Sequence, residues 1–66
     1  MFKVDSARIR ALLLQSGLSL KAFAEQSGLN VLTVKRALRD GASASIRTIC
    51  ALAKCFGVDA NTLVKN

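Results

Sequence analysis

Histidine, tyrosine, tryptophan and proline are all missing from this chain, and only four acids are present, scattered at Asp5, Glu25, Asp40 and Asp59. General acid–base and nucleophilic chemistry both need a titratable group beside a partner that activates it. The chain offers no such pair, so it is not expected to be an enzyme. Its two cysteines, Cys50 and Cys55, have no histidine to complete a tetrahedral metal site, and no metal or cofactor is expected. Five positions apart on one expected helix, their side chains point about 140° away from each other and do not pair. Long apolar runs are also missing. The longest near the start, Ala11 to Leu14, is far too short for a signal peptide or a membrane span. The chain therefore reads as a cytoplasmic, reduced protein with no membrane partner.

What is present is a basic, apolar-rich sequence of 66 residues, 52% of them hydrophobic. A domain this small buries only about 60% of the surface its unfolded chain exposes, so a helical bundle is the most economical way to build a core. Ten Lys and Arg against the four acids give a net charge of +6. Such a balance suits a nucleic-acid-binding domain, although small basic domains also bind membranes or acidic proteins.

Four glycines, Gly17, Gly28, Gly41 and Gly57, fall where helical patterns stop. Between them, N-cap residues stand at Asp5 or Ser6, Ser19, Asn30, Ser45 and Asp59. The first helix is expected to run to about Ser16 with Ile9, Leu12 and Leu13 inward, and the second from Ser19 to about Ser27 around Phe23. The third takes Asn30 to Arg39. A fourth, Ser45 to Phe56, places Ile46, Ile49, Leu52, Ala53 and Phe56 on one face, and a short fifth begins at Asp59 and buries Leu63. No strand is expected, and Gly41 to Ser45 is the only loop of any length. The expected fold is one all-α domain, a bundle of five helices.

The stretch from Leu20 to Arg39 carries the function. Two helices joined by Ser27-Gly28-Leu29 must cross steeply, which requires a small residue at the crossing and a glycine at the turn; Ala24 and Gly28 supply them. On the third helix, Val34 and either Ala37 or Leu38 point to the core. Asn30, Val31, Thr33, Lys35, Arg36 and Arg39 fall largely elsewhere, and this face holds no acid. A helix of this width fits the major groove of B-DNA. Three cations on one helix can equally be a solvated bundle face, and it is the Ala24, Gly28, Val34 framework that favours the groove-binding reading.

With Ile9 and Leu12, Gly17-Leu18-Ser19, Phe23 to Leu29, Val34, and then Ile46 through Leu63, the chain resembles the phage-repressor-like or Cro-like (XRE-type) helix-turn-helix regulators. The resemblance covers nearly the whole chain. It implies a lambda-repressor-like domain that binds double-stranded DNA in a sequence-specific way and regulates transcription, as a repressor would. Its base-reading positions fall on Asn30, Val31, Leu32 and Arg36, with Thr33, Lys35 and Arg39 assisting or contacting phosphate, and Ser19, Lys21 and Arg47 flanking them. Arg36 is the best candidate for a bidentate contact to guanine, Asn30 for adenine or a phosphate, and Val31 for a thymine methyl. Relatives bind as homodimers on two-fold symmetric sites with half-sites about 34 Å apart. Here the end of the fourth helix and the fifth, near Val58, Ala60 and Val64, is the expected dimer surface.

The chain departs from the family at three places. Leu20 stands where a phosphate-touching glutamine is common, and Gly41 to Ser45 carries no charge where relatives are often basic. An arginine on the first helix paired with a glutamate after the recognition helix is matched by Leu13 and Leu38, an apolar pair replacing an ionic one. Leu14, Leu20, Val31 and Leu32 are also more apolar than a solvent-facing surface requires. They either complete a small core or form a contact patch, and the patch makes an alternative function: a protein-interaction module that modulates another regulator.

Overall fold

The computed structural model describes residues 1–65. The elements follow one another as β1 (Phe2–Lys3), α1 (Ser6–Ser16), α2 (Leu20–Ser27), α3 (Val31–Ala37), β2 (Ser43–Ala44), α4 (Ile46–Phe56) and a single 3-10 turn over Ala60–Leu63. Each helical segment starts at a side chain that satisfies one of its free backbone N–H groups. Asp5 accepts from Arg8 N, Ser19 from Ala22 N, Asn30 from Leu32 N, Ser45 from Thr48 N and Asp59 from Asn61 N.

Among the described residues four α-helices form rather than five. After Asp59 the chain makes one 3-10 turn and then extends at Val64, which bridges Val4, while Lys65 N donates to Lys3 O at 2.9 Å. Pairing with the N-terminal strand takes the backbone groups that a longer helix would have used. No strand was expected, yet a short two-stranded ladder forms. β1 runs antiparallel to β2, with Phe2 opposite Ala44 and Lys3 opposite Ser43, and Val4 N reaches Ala42 O at 3.0 Å. The segment from Gly41 to Ser45 is therefore partly strand. α3 stops at Ala37, because Leu38 N and Arg39 N bond to Lys35 O and Arg36 O three residues back and tighten the chain into a turn.

The core is built from Val4, Ile9, Phe23, Val34, Ile49, Leu52 and Leu63, with the rings of Phe23 and Phe56 stacked at 4.7 Å. Ala24, Ala37 and Ala53 are buried among them and let the helices approach closely. Ile46, expected inward, is 63% exposed. It occupies the first turn of α4, at the rim of the domain, where it lines a groove with Phe2 and Val64.

Candidate nucleic-acid interface

α2 and α3 are joined by Gly28, Leu29 and Asn30. Gly28 adopts φ +73°, a left-handed conformation that closes α2 and directs the chain into the next helix, and Leu29 N then bonds to Ala24 O at 2.9 Å. Beneath the turn, Ala24 is buried on α2, while Val34 and Ala37 are buried on α3. Ala37 thus takes the second inward position, and Leu38 is only half-buried. These contacts fix α3 with its opposite face outward.

That outward face carries most of the expected contact residues. Asn30, Leu32, Lys35, Arg36 and Arg39 are exposed, whereas Val31 and Thr33 are half-buried. Ser19 and Lys21 lie exposed at the start of α2, and Arg47 at the start of α4. Among the described residues the single ion pair is Arg10–Asp40, so Lys21, Lys35, Arg36, Arg39 and Arg47 have no internal acid to neutralise them. The side-chain oxygens of Ser19 and Asn30 are already engaged as caps, at 3.1 and 2.7 Å from their amide donors. What Asn30 still offers is its amide NH₂, a donor.

Thr33, Arg36 and Ala37 also line a cleft of about 150 Å³ with Met1, Ser43, Ala44, Ser45 and Thr48. Recognition helix, β ladder and the first turn of α4 thus meet at one place. Met1 and Thr48 were not among the residues expected from the sequence, because no local pattern signals that they lie beside Arg36.

The ion pair between α1 and the end of the recognition helix is present, contrary to the apolar replacement expected at Leu13 and Leu38. Arg10 Nη2 lies 3.1 Å from Asp40 Oδ1, and Arg10 Nη1 donates to Leu38 O at 2.6 Å. Ser6, which is buried, donates its hydroxyl to the same carboxylate at 3.1 Å. The turn after Ala37 presents the Leu38 carbonyl and the Asp40 carboxylate together, which moves the acid two positions beyond the expected match. Hydrogen bonds from Arg10 and then Ser6, with the Arg10 charge, hold the Asp40 carboxyl below the usual carboxylate range.

Leu14 is 85% exposed and Leu32 54%, so neither completes the core. Leu14 and Leu20 share a groove with Leu13 and Leu18 at the α1–α2 corner, a lining that includes neither Val31 nor Leu32. Among the described residues no helix is long and apolar enough to cross a membrane.

Two packed helices with Ala24 and Val34 buried in one core, a left-handed glycine between them and an exposed basic second helix, define a helix-turn-helix domain. The family model described as Helix-turn-helix matches residues 9–63, and the chain belongs to the Cro-like (XRE-type) helix-turn-helix family of DNA-binding transcription regulators. No curated protein and no solved structure matches it. The family does not favour the protein-interaction alternative.

Proposed function

We propose that the chain is a sequence-specific repressor whose α3 enters the major groove of duplex DNA. The observation that carries this reading is the pair of exposed cations Lys35 and Arg36 on a helix held from behind by Val34 and Ala37, with exposed Arg39 in the turn that follows. Arg36 reads guanine through O6 and N7, and Val31 and Leu32 pack against thymine methyls. Asn30, its oxygen occupied as a cap, donates from its amide to a phosphate or to a base acceptor, and Thr33 assists beside Arg36. Lys35, Arg39, Lys21, Ser19 and Arg47 hold phosphates on either side. Two copies occupy inverted half-sites about one helical turn apart, and repression follows from occupying the promoter. A DNA regulator of this kind works in the cytoplasm.

Selection of binding sites from a random duplex library, followed by titration of the recovered site over a salt series, tests this. A recurrent sequence is expected, with log K falling against log salt by about 0.9 per phosphate contacted. Arg36→Ala is expected to cost roughly 1–3 kcal/mol and relax the preference at one base pair, whereas Lys35→Ala weakens all duplexes alike and flattens the salt slope by about one unit. Binding that yields no recurrent sequence and no salt dependence refutes the proposal.

A further inference from the structure

β1 has hydrogen-bonded neighbours on both sides. On one side, Lys3 stands opposite Ser43 of β2. On the other, Asp5 N donates to Leu63 O at 2.8 Å and Lys65 N to Lys3 O at 2.9 Å, on either side of the antiparallel Val4–Val64 bridge. That register sets Lys65 directly opposite Lys3. Side chains in a ladder alternate between its two faces. Val4 and Ala44 are buried and take the core face, which leaves Lys3, Ser43 and Lys65 exposed in a row on the other.

The fold does not account for two lysines side by side. Like charges directly opposite one another in a ladder are destabilising. Lysine on an edge strand guards against pairing with other chains, but Lys3 belongs to the central strand. The nearby acids are engaged elsewhere: Asp5 Oδ1 accepts from Arg8 N, and Asp40 Oδ1 accepts from Arg10 and Ser6. Among the described residues the single ion pair is Arg10–Asp40, so neither lysine has one. An arrangement that is unfavourable in the free protein becomes favourable when an anion lies across both side chains.

The place of the row identifies that anion. Ser43, the ladder partner of Lys3, lines the cleft beside Thr33 and Arg36, together with Ser45 and Thr48 at the start of α4. No residue of α2 lines that cleft, so the ladder borders α3 at a place apart from Ser19 and Lys21. We infer that the ladder is a second DNA-binding element, in which Lys3 and Lys65 hold backbone phosphates beside the groove that α3 enters. Resting on the reading of α3 given above, this brings onto the duplex the two ends of the described chain, which that reading leaves off it. Phosphate contacts carry no base information, so the ladder adds affinity and fixes orientation while α3 selects the sequence.

The test measures duplex binding over a salt series for Lys3→Gln, Lys65→Gln and the double variant. Lys54→Gln serves as the control. It removes the same charge, but Lys54 lies on the far part of α4, in a groove with Glu25 and Gln26. Each ladder variant is expected to flatten the slope of log K against log salt by about 0.9, so that the double variant's deficit shrinks roughly tenfold between 50 and 200 mM salt. The loss is expected to be equal on the selected site and on random duplex, with base preference unchanged, and Lys54→Gln is expected to keep the wild-type slope. Thermal melts separate binding from folding: relief of the lysine–lysine repulsion is expected to leave the double variant's melting temperature unchanged or higher. Ladder variants that flatten the slope no more than Lys54→Gln overturn the inference and leave the reading of α3 intact. A double variant that melts below wild type overturns it too, by assigning the lysines to the fold. Wild-type protein without salt-dependent duplex binding removes both readings together.

Discussion

Single side chains in this domain serve two masters, and Asn30 is the clearest. Its oxygen closes the first turn of α3 at 2.7 Å from Leu32 N, while its amide faces outward at the end of the helix proposed to read DNA. Aspartate caps a helix as well as asparagine and carries a charge favourable at a helix N-terminus. Asn30→Asp is therefore expected to leave the melting temperature unchanged or slightly raised and yet to weaken duplex binding, through loss of the donor and repulsion of phosphate. Thermal melts and a binding titration on the same sample check both halves. Asp40 is a different case. Arg10 and Ser6 stabilise its ionised form, so the folded carboxyl releases its proton more readily than the unfolded one. Its contribution to stability is present above the ordinary aspartate range and disappears as the pH falls through the lower folded value. The melting-temperature gap between wild type and Asp40→Asn is expected to be open near neutrality and to close toward strong acid. An equal gap at all pH values contradicts it.

Among the elements, those whose causes are local were legible in the sequence. Four capping residues were singled out, and the first narrowed to Asp5 or Ser6, because an N-cap is a bond between a side chain and a backbone group two or three residues away, and the stops at Gly17, Gly28 and Gly57 are equally local. The strands were missed because two-residue strands have no period to detect. They exist only because Phe2 finds Ala44 and Val64 finds Val4 across the whole length of the chain. The same distance hid the Arg10–Asp40 pair, whose registration depends on how the turn after Ala37 is wound. The candidate site divides along this line: the exposed face of α3 followed from helical spacing, whereas its neighbours Met1 and Thr48 did not. Val4, buried between β2 and the C-terminal segment, is the residue on which this ladder turns. Val4→Ala removes two methylene-sized groups, about 1.5 kcal/mol at roughly 0.8 each. For a domain of this size that lowers the melting temperature by roughly 6–12 °C. If the ladder is peripheral to the fold, a calorimetric scan will show far less.

At the scale of the whole molecule, charge separates the demands of folding from those of binding. Ten cations against four acids, with a single exposed ion pair among the described residues, mean that compacting the chain brings like charges together. The Arg10–Asp40 pair is open to solvent and worth little against that repulsion. Salt that screens the repulsion is thus expected to raise the melting temperature of the free protein while it weakens duplex binding, two responses of opposite sign from one cause. Reversing Arg36 and Arg39 to glutamate follows the same logic. Each reversal changes the net charge by two, from +6 to +2 for the pair. Neither side chain has an internal acid to lose, so the double variant is expected to melt no lower than wild type, and at low salt somewhat higher. Its duplex binding is expected to be abolished, because two of the cations on the proposed reading face become anions facing phosphate. Melting the two proteins over a salt series, with and without the selected duplex, checks all of these at once. A double variant that unfolds assigns Arg36 and Arg39 to the fold, and one that still binds shows that another face of the domain meets the DNA.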